Sequence, residues 1–549
     1  MKVAEAIGRT FADRGVEAFF GLVGSGNFAV TNALHAAGAA FYSSRHECGA
    51  IMMADGYARA SGKVGVCTVH QGPGFTNTLT GLTEASKSRT PLVLLAADTP
   101  AGTLWSNFKI DQAAFAETAG AVAERVRSPE TAAEDAARAL RRARVERRPV
   151  VLNVPIDLPE KICPDELPAL PDGPALQPPR PSERSVAEVA DLLEASSRPV
   201  IVAGRGVALA AGGREALEAL GERVGALLTT SAVGNGLFVG NAYSLGIAGG
   251  FSSPLAVELL AQADVVLSFG AALNRWTTRH GGLFPHEARV VQVDLDEEAI
   301  GALYPTDVGV VGDAAATARA IVEELDRRGV RKEGFRTGGL EREISTRRWR
   351  DEPYEDLGTA AYIDPRTLSI ALDDLLPSER TVATDSGHFM GYPAMYLDVP
   401  DQPGFVFAQA FQSVGLGLAN AIGAAVARPE RLCVAAVGDG GALMALGELE
   451  TAARYRLPMV VVVYNDAAYG AEVHHFGPMG QDVDLTRFPD TDFAALARAA
   501  GAEGITVRGP EDLAPLKEWL GRRDRPLVID AKVNPDVRAE WLAEAFRAH

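Results

Sequence analysis

Residues 438–466 read GDGGALMALGELETAARYRLPMVVVVYND. Two apolar runs, Leu432–Val437 just before this stretch and Met459–Tyr464 within it, have the length and β-branched content of buried strands. Between them the spacing predicts a helix from Ala442 to Tyr455, closed by Pro458. Strand, helix and strand in this order form a βαβ unit, whose two strands lie parallel in one sheet. The chain is thereby committed to an α/β architecture. Loops following both strands open on the same sheet edge, where ligands bind in open parallel sheets. That edge receives Gly438-Asp439-Gly440 from the first strand and Asn465 from the second. A carboxylate and a side-chain amide meeting beside a glycine-rich turn suit a divalent cation bridged to a phosphate.

The same alternation runs through the rest of the chain, and 549 residues are too many for one core. A first block, 1–165, contains AFFGLVG, KVGVCTVH, PLVLLAAD and PVVLNVPID, and ends in a proline-rich surface linker over Cys163–Glu183. A second block, 184–340, contains PVIVAGRGV, ALLTTSA, ADVVLSFGAAL and RVVQVDLD. After a charged, partly helical linker over 341–360, a third block spans 361–549, from TVATDSGHF to PLVIDAKVN. The expectation is three α/β domains, each a doubly wound parallel sheet. In the middle block AGRGVALAAGG follows a strand but lacks G-x-G-x-x-G spacing, so a structural domain is favoured over a nucleotide site.

Charge and cysteine content narrow the partners. A net charge of −18 argues against nucleic acid or an anionic membrane surface. Cys48, Cys67, Cys163 and Cys433 lie far apart with no metal or redox spacing. The N-terminus reads as an amphipathic helix running into a strand, without a signal-peptide core. No apolar run approaches the ~20 residues that span a bilayer. A reduced, cytoplasmic setting is expected.

Three motifs together carry a family resemblance: Gly438-Asp439-Gly440 followed by ELETAARYRLP, the strand ending in Asn465, and RHECGAIMMADGYARASGK at Arg45–Lys63. Over essentially its whole length the chain resembles the thiamine-diphosphate-dependent enzymes of the acetolactate synthase, pyruvate oxidase and benzoylformate decarboxylase group. The resemblance implies, in order, a pyrimidine-binding, a central and a diphosphate-binding domain. It implies that Asp439, Asn465 and the carbonyl of Ala467 hold magnesium, with diphosphate oxygens completing the shell. Glu47 takes the place of the glutamate that hydrogen-bonds the aminopyrimidine and so promotes loss of the thiazolium proton. Val414 takes the place of the bulky residue beneath the bent cofactor. Gly387, His388, Gly438, Gly440 and Gly441 fall where relatives grip the diphosphate. Tyr469 and Gly470 begin a segment, through His474 and His475, that folds over it.

The substrate side resembles two relatives at once. In VHQGPGFTN the GPG-x-x-N resembles acetolactate synthases, whereas His70 resembles a proton-transfer histidine of benzoylformate decarboxylase. Ser25, in VGSGN, stands where that decarboxylase contacts a carboxylate, and Gln71 is a plausible neighbour. Acetolactate synthases carry a glutamine where this chain has Phe108, with Gln112 four residues on. The segment Ser268–Gly282 resembles the part of the central domain that reaches flavin in relatives, which leaves FAD open without favouring it.

The expected activity is cleavage of a 2-oxo acid, with the resulting enamine attacking a second carbonyl compound. Its protonation to an aldehyde, as in a simple decarboxylase, is the alternative. A cofactor-binding regulator without turnover is disfavoured by the presence of Glu47. The resemblance further implies a homodimer or homotetramer, because in this group the pyrimidine domain of one subunit faces the diphosphate domain of another.

Overall fold

The structure, a computed structural model, describes residues 1–164 and 177–547. Most of the expected proline-rich linker therefore lies outside the described residues. Three six-stranded sheets follow one another along the chain, and every strand pairing within them is parallel. Parallel sheets are covered by helices on both faces. The burial of every residue in strands such as Leu92–Asp98 and Met459–Asn465 reflects that cover.

The first sheet runs from strand Ala18–Gly21 to Pro149–Pro155 and the third from Arg380–Thr384 to Leu527–Lys532. Numbered within each sheet, both have the order 2-1-3-4-6-5, so the two domains share one topology. The central sheet, Pro199–Ala203 to Val308–Val311, has the order 3-2-1-4-5-6 of dinucleotide-binding folds. Among the described residues no helix is long and apolar enough to cross a membrane.

The expected βαβ unit is present, with Val437 beside Val463 and Gly438 beside Tyr464. Its helix differs from the expectation. It begins at Asp439 and breaks at Ala445, giving Asp439–Met444 and Leu446–Arg454. The break separates a glycine turn that lines a cavity from a second helix aimed at the first domain.

First and third domains dock through helices Glu47–Ser61 and Gly417–Ala427. The backbones meet directly: a Cβ on Gly56 would fall 2.0 Å from the Asn420 carbonyl oxygen, and one on Gly423 1.9 Å from that of Met53. Asn420 Nδ2 donates to the Met52 carbonyl at 3.1 Å and to Asp55 Oδ2 at 2.8 Å. One apolar core consequently runs through both domains, from Phe20 and Ile51 to Leu418 and Val461.

Candidate active site

Loops at one edge of the third sheet surround a cavity of about 890 Å³. Of the residues singled out in the sequence, Gly387, His388, Val414, Gly438, Asp439, Gly440, Gly441, Tyr469 and Gly470 line it. Asn465 and Ala467 do not. Side chains alternate along a strand, so Tyr464 and Asp466 share the cavity face and Asn465 takes the other. There Asn465 Nδ2 donates to Asp530 Oδ1 at 2.9 Å and to the Thr491 carbonyl at 3.2 Å. Its Oδ1 accepts the Ala467 N–H at 3.2 Å, and the Ala467 carbonyl accepts the Phe488 N–H at 2.8 Å. Both groups are engaged in closing the turn. One position along, Asp466 and Ala468 lie on the cavity wall where Asn465 and Ala467 were expected.

Asp439 is buried here, and Asp466 is largely so. Burial pushes the Asp439 carboxyl up to about 6. Burial, reinforced by the charge of Asp439, pushes Asp466 up to about 8. The adjoining turn is tight, since a Cβ on Gly440 would lie 2.7 Å from Tyr469 Cε1, and one on Gly441 2.3 Å from Asp385 Oδ2. Asp385 escaped the sequence reading although it sits in the quoted TDSGHF. Its carboxylate accepts the N–H groups of Gly415 at 2.9 Å and Leu416 at 3.2 Å, and so holds the turn that presents Val414. Gly415 has φ +89°, a conformation that favours glycine.

His388 is buried, and its Nε2 accepts the Ala539 N–H at 2.9 Å. The proton therefore sits on Nδ1, 4.0 Å from Asp466 Oδ2. Burial, with His474 and Arg538 nearby, depresses its pKa to about 3, so the ring is neutral. His474 stacks on His388 at 4.6 Å, and His475 stacks on Phe546 at 3.9 Å. Neither lines the cavity.

Glu47, Ser25, His70 and Gln71 gather at the corresponding edge of the first sheet and do not line this cavity. Glu47 opens its helix, with Oε2 accepting from Asn77 Nδ2 at 2.9 Å. Ser25 Oγ lies 3.3 Å from His70 Nε2. His70 Nδ1 lies 2.8 Å from the Gln71 carbonyl, which can only accept, so Nδ1 carries the proton and Nε2 accepts from Ser25. Phe108 meets the His70 ring edge-on at 4.9 Å. Gln71 is buried under Gly26, where a Cβ would fall 1.8 Å from its Oε1. Gln112 is structural: it accepts the Gly72 N–H and donates to the Ala97 carbonyl and Asn153.

Comparison with known proteins agrees with this layout. Models of the thiamine pyrophosphate enzymes match in three parts: the N-terminal TPP-binding domain over 1–117, the central domain over 186–321 and the C-terminal TPP-binding domain over 385–531. A sulfoacetaldehyde acetyltransferase of Rhodobacter capsulatus is 30% identical, covering 100% of this chain and 96% of the relative. A probable 2-ketoarginine decarboxylase of Pseudomonas aeruginosa is 33% identical over 95% of this chain and 91% of the relative. The acetolactate synthase large subunit of Parasynechococcus marenigrum is 30% identical over 94% and 85%.

Proposed function

This chain belongs to the thiamine pyrophosphate enzymes, and on that premise we propose that it cleaves a 2-oxo acid and joins the fragment to a second carbonyl compound. Thiamine diphosphate, when bound, supplies the electron sink for loss of carbon dioxide. The observation that carries the reading is Asp439 and Asp466 lining one cavity beside the Gly438–Gly441 turn.

The residues present fit such a group. Burial raises both carboxyls, the charge of Asp439 adds to the rise at Asp466, and a divalent ion would neutralise the pair. Among the described residues no cluster of three or more His, Cys, Asp or Glu could hold a metal. We therefore assign magnesium to Asp439, Asp466 and the Ala468 carbonyl, with diphosphate oxygens needed to complete the shell. Gly440 and Gly441 leave room for a diphosphate against their backbone N–H groups, where a side chain would collide with Tyr469 or Asp385. Val414 stands over this turn and would support the rings.

Glu47 would hydrogen-bond the aminopyrimidine. Asn77 orients its carboxylate through a side-chain amide. Because Glu47 and the Asp439 cavity occupy separate edges of one chain, a complete site requires a second copy. We infer a homodimer, or a homotetramer built from it.

A second reading has one observation of its own. The Ser25–His70 pair can hold a substrate carboxylate and deliver a proton, which favours release of an aldehyde. Proton NMR of products decides between the readings. The protein with magnesium and thiamine diphosphate is given pyruvate, pyruvate with sulfoacetaldehyde, benzoylformate, or 2-ketoarginine. Acetolactate, acetoin or acetyl transfer from pyruvate is expected. An aldehyde from benzoylformate or 2-ketoarginine, with pyruvate untouched, would replace carboligation by simple decarboxylation.

A further inference from the structure

Two buried carboxylates at the contact between the first and third domains belong neither to the metal site nor to the proton-handling groups. Glu448, on helix Leu446–Arg454, accepts the N–H groups of Arg45 at 3.1 Å and His46 at 2.9 Å across the domain boundary. These N–H groups belong to the two residues immediately before Glu47. Thr451 Oγ1 donates to its other oxygen at 3.0 Å. Gly49 permits the approach, since a Cβ there would fall 2.2 Å from Glu448 Oε1.

Glu84, on helix Leu79–Lys87 of the first domain, does the converse. It accepts the N–H groups of Ala410 at 3.2 Å and Phe411 at 2.6 Å, just before Val414. Arg59 Nη2 holds Glu84 Oε1 at 2.9 Å. The resemblance between the two contacts is topological. Both helices follow the third strand of sheets with the same strand order, so Glu84 and Glu448 stand on topologically equivalent helices of the two domains.

We infer that Glu448 and Glu84 are reciprocal positioning residues, Glu448 for the turn that presents Glu47 and Glu84 for the strap that presents Val414. A buried carboxylate taking two N–H groups fixes the planes of successive peptides. Placement matters here because a misplacement of about 1 Å in a catalytic group costs on the order of 10²-fold in rate. With Glu47 serving one site and Val414 the other, a single domain contact within one chain sets a component of two sites. The inference rests on the reading of Glu47 given above.

Amide hydrogen exchange on the full chain without cofactor tests the placement directly. Glu448→Gln is expected to speed exchange at Arg45 and His46 by about tenfold or more, leaving Ala410 and Phe411 unchanged; Glu84→Gln is expected to do the reverse. If either variant loosens all four amides together, or none, the carboxylates are only docking contacts and the inference is overturned.

With magnesium and thiamine diphosphate added, deuterium exchange at the cofactor C2 position, counted per bound cofactor, should fall about tenfold or more in Glu448→Gln. Gly49→Ala, which keeps every carboxylate but displaces Glu448, should show the same loss and serves if Glu448→Gln does not fold. A wild-type rate in these variants, with Glu47→Gln slow, overturns the positioning role alone. A wild-type rate in Glu47→Gln instead overturns the reading of Glu47.

Discussion

Replacing Gly423 by alanine sets two physical effects of opposite sign against each other. Gly423 lies inside helix Gly417–Ala427, and an interior Gly→Ala change favours a helix by about 1 kcal/mol. The new Cβ, however, would sit 1.9 Å from the Met53 carbonyl oxygen and 2.8 Å from the Tyr57 amide nitrogen. Those are backbone atoms of the facing helix and cannot rotate away. Restoring an ordinary contact would part the helices by more than about 1 Å, forfeiting a substantial share of the dispersion between them. Overpacking of this kind costs about 1–3 kcal/mol and occasionally more. The shift would also strain the Asn420 bonds to Met52 and Asp55. A clash with rigid backbone puts overpacking in the upper part of its range, so it outweighs the helix gain and Gly423→Ala is expected to destabilise the protein by roughly 1–2 kcal/mol. Urea unfolding followed by circular dichroism, read at the transition that the first and third domains share, measures it. A variant as stable as the wild type, or more stable, would refute the close crossing and leave helix propensity as the only effect.

Further outcomes are expected from the site itself. Asp466→Ala should abolish magnesium-dependent cofactor binding in calorimetry. Asn465→Ala should keep that dependence and cost about 1–3 kcal/mol of stability, because the buried Asp530 Oδ1 loses its Asn465 donor. Burial alone would raise the Glu84 carboxyl, but Arg59 and the backbone N–H groups outweigh it and hold it below its ordinary value. A depressed acid stabilises the fold above the ordinary carboxyl range and loses that contribution as pH falls through its folded value. Melting temperatures should thus fall more steeply toward acid in the wild type than in Glu84→Gln. His70→Ala should lower aldehyde formation by about 10²-fold or more and spare carboligation, as product NMR would show.

The sequence by itself determined the architecture and pointed to many of the residues that line the cavity. Unbroken apolar runs, helical periods and turn residues are local properties, and from them the parallel sheets and their loop edge were legible. The motifs around Glu47, His388, Val414 and Gly438–Gly441 were legible for the same reason, each being short and contiguous. Tertiary structure alone decided which of two adjacent residues, Asn465 or Asp466, faces the cavity. Strand alternation requires that neighbours point opposite ways, but only the packing of helices on the sheet says which face is which. It also decided that Gln112 is a buried brace beside Gly72, and that Asp385 carries the Val414 turn. Least legible of all were Glu84 and Glu448, which read as ordinary helix acids in the chain. Their partners, Phe411 and Arg45, lie 327 and 403 residues away, and no local pattern reports a contact made when two domains close on one another.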